Sequence, residues 1–370
     1  VPLPLITGDP AVFAAALLDW FARAAADLPW RAARDAYRIW LSEIMLQQTQ
    51  VATVIPYYAR FLDAFPTVEA LAAAPLDDVL KRWEGLGYYS RARNLHRAAQ
   101  RIVSAHGGRL PSDPRALEAL PGIGRYTANA IASIAYGAHV PVLDGNVIRV
   151  LARLCDIAED VSAPATRRRL WALAETLIAH VPPGAAGDYN QALMELGREV
   201  CIARAPRCAG CPVSAHCTAL ARGTQAARPV RAPKPQTPHY DVAAAVIRDG
   251  DDRLLIAQRP PDGLLGGLWE FPAGRAAPGE SLEACLARAL REKLGISARI
   301  GAPICVVRHA FTHFRITLHA FDCQGAEGTP HPLAYAACRW APLDALDAFA
   351  FARADRKVID HLRDAPRRLF

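Results

Sequence analysis

Apolar positions recur three and four residues apart through residues 10–222, where alanine is abundant, and this period predicts a series of amphipathic helices. The punctuation is sharpest near residue 120. Asp113 is placed to cap a short helix that has Pro114 at its first position and turns Leu117 and Leu120 inward. Pro121-Gly122-Ile123-Gly124 breaks it, and a second helix is expected from Arg125 to a stop at Gly137. From Gly223 to Pro238 the apolar period vanishes; four prolines and no acidic residue predict an extended linker. Beyond it the period changes. Tyr240 to Arg248 and Arg253 to Arg259 read as short strands split by the turn Asp249-Gly250-Asp251-Asp252. Ser281 to Leu294 reads as a helix with Leu282, Cys285, Leu286, Ala289 and Leu290 on one stripe, and Val306 to Phe321 as strand again. The pattern predicts an all-α domain over 8–222, a linker over 223–238 and a mixed α and β domain over 239–370.

Composition adds few exclusions. A chain of 370 residues, 52% hydrophobic, is long enough for two well-filled cores. No run of about 18 apolar residues occurs, so no membrane span is expected. The start, Val1-Pro2-Leu3-Pro4-Leu5, lacks the basic and apolar regions of a signal peptide, so an intracellular protein is expected. The net charge of +7 points only weakly to a polyanionic partner. Five scattered cysteines (Cys155, Cys285, Cys305, Cys323, Cys338) suit a reducing compartment.

The other four are different. Cys201, Cys208, Cys211 and Cys217 form C-x6-C-x2-C-x5-C within seventeen residues. Four thiolates suit either zinc or an iron–sulfur cluster. Zinc sites usually pair two C-x2-C knuckles, and only Cys208 and Cys211 make one, so the spacing favours 4Fe–4S with zinc as the alternative. Arg204 and Arg207 in this loop are placed to meet phosphates. Upstream, the two-glycine turn with its following helix has the makings of a helix-hairpin-helix, whose free N–H groups bind phosphate without reading sequence; a plain interhelical turn is the alternative. Asp144, twenty residues after Gly124, is an N-cap or an anion kept for chemistry. On a helix Glu43 shares a face with Trp40, Ile44 and Gln47, and a carboxyl desolvated there keeps its proton near neutral pH and can donate it. A solvated glutamate is the bland alternative.

Leu28-Pro29-Trp30-Arg31, Ser42 to Val51, Gly85 to Leu95, the Gly-rich turn, Leu143 to Val147 and the four cysteines resemble the MutY family of adenine DNA glycosylases, and the likeness runs through nearly the whole chain. Endonuclease III shares the helical fold, the hairpin and the cysteine spacing, but the lysine its bifunctional relatives need after the hairpin is replaced here by Tyr126. The resemblance implies an all-α helix-hairpin-helix glycosylase domain with an iron–sulfur loop (201–217) and an α+β Nudix-like domain. It implies a monofunctional base-excision enzyme that flips adenine out of A:8-oxoguanine or A:G mispairs in double-stranded DNA, holds a 4Fe–4S cluster on the four cysteines, and works as a cytoplasmic, nucleoid-associated monomer. It assigns Glu43 to protonate the adenine and later activate water, and Asp144 to stabilise or briefly bond the sugar cation, with Tyr126 and Asn146 holding Asp144. Trp30, Arg31, Leu46 and Gln191 would line the adenine pocket; Gln48 and Tyr88 would wedge into the base stack, and Leu120, Gly122 and Gly124 would meet the backbone.

Gly274 to Ile296 resembles a Nudix box, with Gly274, Glu280, Arg288, Glu292 and Gly295 in place, but Ala289 and Lys293 stand where two metal-holding glutamates belong. Loss of hydrolysis is implied, with Phe311-Thr312-His313 as the loop that contacts 8-oxoguanine. An endonuclease III-like pyrimidine glycosylase/lyase and a Nudix hydrolase of oxidised nucleotides are the competing activities.

Overall fold

A computed structural model describes residues 6–233 and 236–364. Val1 to Leu5, the linker's Lys234 and Pro235, and the last six residues of the C-terminal domain lie outside the described residues. The described chain packs as two compact units, 6–72 with 97–233, and 73–96 with 236–364. Among the described residues no helix is long and apolar enough to cross a membrane.

The helices are α1 (Pro10–Ala24), α2 (Ala36–Leu46), α3 (Val51–Ala64), α4 (Val68–Ala73), α5 (Leu76–Trp83), α6 (Ser90–His106), α7 (Pro114–Glu118), α8 (Arg125–Tyr136), α9 (Gly145–Leu154), α10 (Pro164–Ile178), α11 (Ala186–Glu199) and α12 (Thr218–Ala221). Their starts follow local chemistry. Asp9, Asp35, Asp113 and Asp144 each accept a hydrogen bond from the first turn they precede, which satisfies an N–H that the helix leaves unpaired. Gly137 ends α8 in the left-handed conformation, as the spacing predicts. In the first unit α11 is the central rod, packed against α1, α8 and α9, while α2 lies on α8. Buried polar residues pin the connection before α9. Asn190 donates to Ser133 Oγ at 2.9 Å and to the Val140 carbonyl at 2.8 Å, and accepts from the Val142 N–H at 3.2 Å. Asn129 donates to the Pro141 carbonyl at 2.7 Å. A fully buried amide with both donors and its oxygen engaged is costly to disturb, so the segment that delivers Asp144 is held firmly.

The second unit is an α+β fold. One sheet has the order β4 (Ala273–Arg275), β1 (His239–Ile247), β6 (Arg315–Glu327), β5 (Ser297–Ala310), with β1 and β6 parallel. The other has the order β3 (Trp269–Glu270), β2 (Leu254–Gln258), β7 (Ala337–Ala341). The two-residue period explains the layers. Ala243, Ala245 and Ile247 pack with Leu286, Leu290 and Leu294 of α13 (Leu282–Leu294), and Ala244 and Val246 face the opposite side with Val358 and Ile359 of α14 (Arg353–Asp364). A strand buried on both faces is apolar throughout, as Ala243 to Ile247 is. The turn at Asp249 forms, but the strands it joins enter different sheets. The strand character of Val306 to Phe321 belongs to a longer hairpin, β5 and β6, that begins at Ser297, ends at Glu327 and has its tip at 311–314, where the loop of Phe311, Thr312 and His313 falls. The stretch 73–96 joins this unit through polar contacts: Lys81 Nζ donates to the Phe349 carbonyl at 3.2 Å, Arg93 Nη1 to the Gly266 carbonyl at 2.8 Å, and Arg356 pairs with Glu84.

Candidate active site

Glu43 lies on α2 and is 7% exposed, walled by its own apolar helix face and by α8. Burial pushes its carboxyl up to about 7; the Tyr126 hydrogen bond pulls it down, the charge of Asp144 pushes it further up, and the charge of Arg31 opposes that. Tyr126, in the first turn of α8, donates its hydroxyl to Glu43 Oε2 at 2.7 Å, and the same oxygen is 3.1 Å from Met194 Sδ on α11. The resemblance placed Tyr126 as a support for Asp144; its hydroxyl is instead on Glu43, because packing of α8 on α2 turns the ring toward the acid.

Asp144 caps α9. Its Oδ1 accepts from the N–H groups of Asn146 at 2.9 Å and Val147 at 2.7 Å, and its Oδ2 from the Asn146 side-chain amide at 2.8 Å. Burial raises this carboxyl above its ordinary value, while the three hydrogen bonds and Arg149 draw it back. Asn146 thus donates to Asp144 from both its backbone and its side chain. It is itself aimed by Arg149, which donates to Asn146 Oδ1 at 2.9 Å, to the Gly197 carbonyl at 2.6 Å and to the Cys201 carbonyl at 2.7 Å. One arginine therefore ties the N-cap carboxylate to the first cysteine of the loop. Gly197 is the point of closest approach: a Cβ there would stand 2.7 Å from Asn146 Cβ. Gly197→Ala is expected to force α9 and α11 apart, lowering stability by about 1–3 kcal/mol and slowing base release through displacement of Asn146. Thermal melting and single-turnover kinetics check this; an unchanged rate would show that Asn146 keeps its place.

Trp30 and Arg31 sit on one short 3-10 turn, Pro29–Arg31. Trp30 is buried edge-on against Tyr58, and Arg31 Nε donates to Gln191 Oε1 at 3.1 Å. Leu46 closes α2, half-buried. Gln48 follows it, exposed and in the left-handed region at φ 56°, a conformation that β-carbon-bearing residues hold at functional sites more often than elsewhere. In the hairpin, Leu120 and Ile123 are buried, Gly122 takes φ 76°, and Gly124 precedes α8 with no side-chain cap, which leaves the first-turn N–H groups of α8 for an anion.

The four cysteines ring a single cavity in the first unit, and its remaining wall is largely apolar, with Val150, Leu154, Leu196 and Val213. Arg153, 2% exposed, donates to Cys201 Sγ at 3.3 Å and to the carbonyls of Cys201, Ile202 and Ala203, so the loop is fixed from beneath. Among the described residues no three histidine, cysteine, aspartate or glutamate side chains converge on one point as ligands of a single ion.

In the second unit Tyr88 is exposed at φ 48° and its hydroxyl hydrogen-bonds to Thr312 at the β5–β6 tip. Phe311 stacks on Phe314 with ring centres 4.6 Å apart, and Thr312 and His313 are exposed. The Nudix-box side chains are spent on one another: Arg288 grips Glu280 with two bonds of 2.8 Å and also reaches Glu292 at 3.2 Å. Ala289 is buried, and Lys293 Nζ donates to the Ala273 carbonyl at 2.7 Å. Glu270 accepts from Arg259 at 2.6 Å and Tyr335 at 2.9 Å, a buried network that sequence reading did not find.

Residues 41–176 match the model of the HhH-GPD superfamily base excision DNA repair proteins, and residues 243–361 that of the NUDIX domain. These two matches define the class as a helix-hairpin-helix DNA glycosylase that carries a Nudix-like domain. Human adenine DNA glycosylase is 36% identical over 401 residues, covering 94% of this chain and 73% of the relative. The Arabidopsis thaliana adenine DNA glycosylase is 39% identical over 296 residues, covering 70% of this chain and 46% of the relative. A solved thermostable thymine-DNA glycosylase is 31% identical with a TM-score of 0.52, covering 58% of this chain and 97% of that one. The chain belongs to the adenine DNA glycosylases, enzymes of base excision repair.

Proposed function

We infer that the chain releases adenine paired with 8-oxoguanine or guanine from duplex DNA, by base flipping and a two-carboxylate cleavage. The observation that carries this reading is the pairing of roles in one site. Glu43 is buried with its proton retained up to about pH 7, and the Asp144 carboxyl is oriented by three N–H donors. Glu43 donates its proton to N7 of the extruded adenine, so the base leaves as a neutral purine. The sugar becomes cationic as the glycosidic bond breaks, and Asp144 stabilises it electrostatically or by a transient bond. Glu43, now a carboxylate, accepts a proton from the attacking water. Trp30 and Leu46 supply apolar walls for the base, and Arg31 and Gln191 its polar edge.

Gln48 and Tyr88 hold the opened stack; the N–H groups after Gly124 take a phosphate; Phe311, Thr312 and His313 meet 8-oxoguanine. Cys201, Cys208, Cys211 and Cys217 would hold a 4Fe–4S cluster: four thiols around one largely apolar cavity are the donor set that such a cluster takes. Bound there, it would give the loop bearing Arg204 and Arg207 a rigid scaffold. Glycosylase action without lyase action follows from the same pocket, since Tyr126 occupies the helix position of a Schiff-base lysine, and Lys81 lies on α5, paired with Glu84 at 2.5 Å.

Base release from duplexes with adenine opposite 8-oxoguanine, guanine or thymine tests the reading. Release is expected from the first two and not the third, with no borohydride-trapped protein–DNA adduct. Release of adenine opposite thymine at the same rate, or trapping in high yield, would overturn it.

A further inference from the structure

The polar edge of the pocket is built so that its hydrogen-bonding sense is fixed. Arg31 spends its donors on three acceptors: Gln191 Oε1 at 3.1 Å, the Ala26 carbonyl at 3.0 Å and Glu195 Oε2 at 3.0 Å. Its guanidinium also lies over the Phe21 ring, 5.1 Å from the centre. A guanidinium has no acceptor, so the Gln191 amide has to turn its oxygen toward Arg31 and its NH2 group away. Glu195 is what prevents Arg31 from moving. It is 2% exposed, and its second oxygen accepts from the Ala26 N–H at 3.2 Å and from Arg198. Gln191, Met194 and Glu195 lie one turn apart on α11, and Met194 touches the Tyr126 hydroxyl that holds Glu43, so this edge adjoins the proton donor.

We propose that Glu195 is a positioning residue that, through Arg31, locks the Gln191 amide with its NH2 group toward the base, and that this edge of the pocket consequently presents donors only. The assignment rests on the reading above that Gln191 borders the adenine. A donor-only edge pairs with N3 or N7, the ring acceptors that adenine and a 6-oxo purine share, and gains nothing from the 6-amino group, which is itself a donor. It therefore accepts a 6-oxo base, whose O6 is an acceptor. Hypoxanthine opposite 8-oxoguanine is the substrate that separates the alternatives. A site that bonds an amino group rejects an analogue lacking it by about 10⁴-fold.

The measurement is single-turnover release of adenine and of hypoxanthine, each opposite 8-oxoguanine, by the full chain and by Gln191→Glu and Glu195→Gln. The unaltered protein is expected to release hypoxanthine within about tenfold of adenine. In Gln191→Glu one carboxylate oxygen pairs with Arg31 and the other accepts from the 6-amino group and repels O6; the adenine-to-hypoxanthine ratio should rise at least tenfold. Glu195→Gln keeps the shape but frees Arg31, lets the amide turn, and should move the ratio the same way by about threefold. Both bases are assayed on the same protein, so loss of folded enzyme cancels from each ratio. Ratios within twofold of the unaltered protein in both variants, or rejection of hypoxanthine by about 10⁴-fold before any substitution, overturn the proposal. Failure of the unaltered protein to release adenine at all would sink the proposed function instead.

Discussion

Asp144→Asn is expected to slow adenine release by about 10³-fold or more while the protein stays folded. The loss is electrostatic. A fixed anion beside a developing sugar cation, already oriented and partly dry, acts without reorganisation, and neutral asparagine removes that charge while keeping the shape. The stability terms nearly cancel. Asparagine caps a helix as well as aspartate does, so the Asn146 and Val147 N–H groups stay satisfied. The bond from the Asn146 amide is lost, because Arg149 holds Asn146 Oδ1 and prevents a flip; this costs about 1 kcal/mol. Removing a carboxylate that burial disfavours offsets that cost. Single-turnover kinetics alongside thermal melting separate the outcomes. A retained rate would remove Asp144 from the chemistry; a collapsed melt would make it structural.

Glu43→Gln should cost about 10²–10⁴-fold, and the pH profile of the unaltered enzyme should show why. Burial, the largest cause, raises the Glu43 carboxyl to about 7. The acid form is the active one, so single-turnover release should be flat below pH 7 and fall about tenfold for each further pH unit, a limb absent from Glu43→Gln. Stability carries the opposite imprint. The folded state binds the Glu43 proton more tightly than the unfolded chain, so the contribution of that proton is complete below about pH 4.5 and is lost as pH rises to about 7. Glutamine is indifferent to that window. Above pH 7 the variant should be the more stable protein, by on the order of 3 kcal/mol, measured by denaturant unfolding at pH 5 and pH 8. A variant that is less stable at both pH values would mean that the hydrogen bond from Tyr126 outweighs desolvation.

Much of this site was legible because it is local. Asp113 with Pro114, the Gly122 turn and the Gly137 stop are short-range rules, and each forms. The burial of Glu43 followed from Trp40, three residues before it, and the adjacent Ile44 on the same helix face. What stayed hidden depends on packing between distant segments. Nothing near Tyr126 announces Glu43 as its partner, and nothing near Asn190, Glu195 or Arg149 marks them as buried or half-buried supports rather than surface polar residues. The bounds of the hairpin stayed hidden for a different reason: Phe311 and Phe314 extend the apolar pattern across the turn, so strand character runs on through a tip where their rings stack. The attachment of 73–96 to the C-terminal strands runs through side chains more than 160 residues apart in sequence, such as Arg93 with Gly266, a distance no window reads.

One rod of fourteen residues, α11, sets several functions to a common scale. Asn190 anchors the approach to the anion, Gln191 meets the base, Met194 steadies the tyrosine of the acid, Glu195 anchors the arginine and Gly197 admits the asparagine. Recognition and cleavage thus share a single ruler, and a lineage seeking a new base to excise cannot recut the reading notch without shifting the marks by which the reaction is aligned.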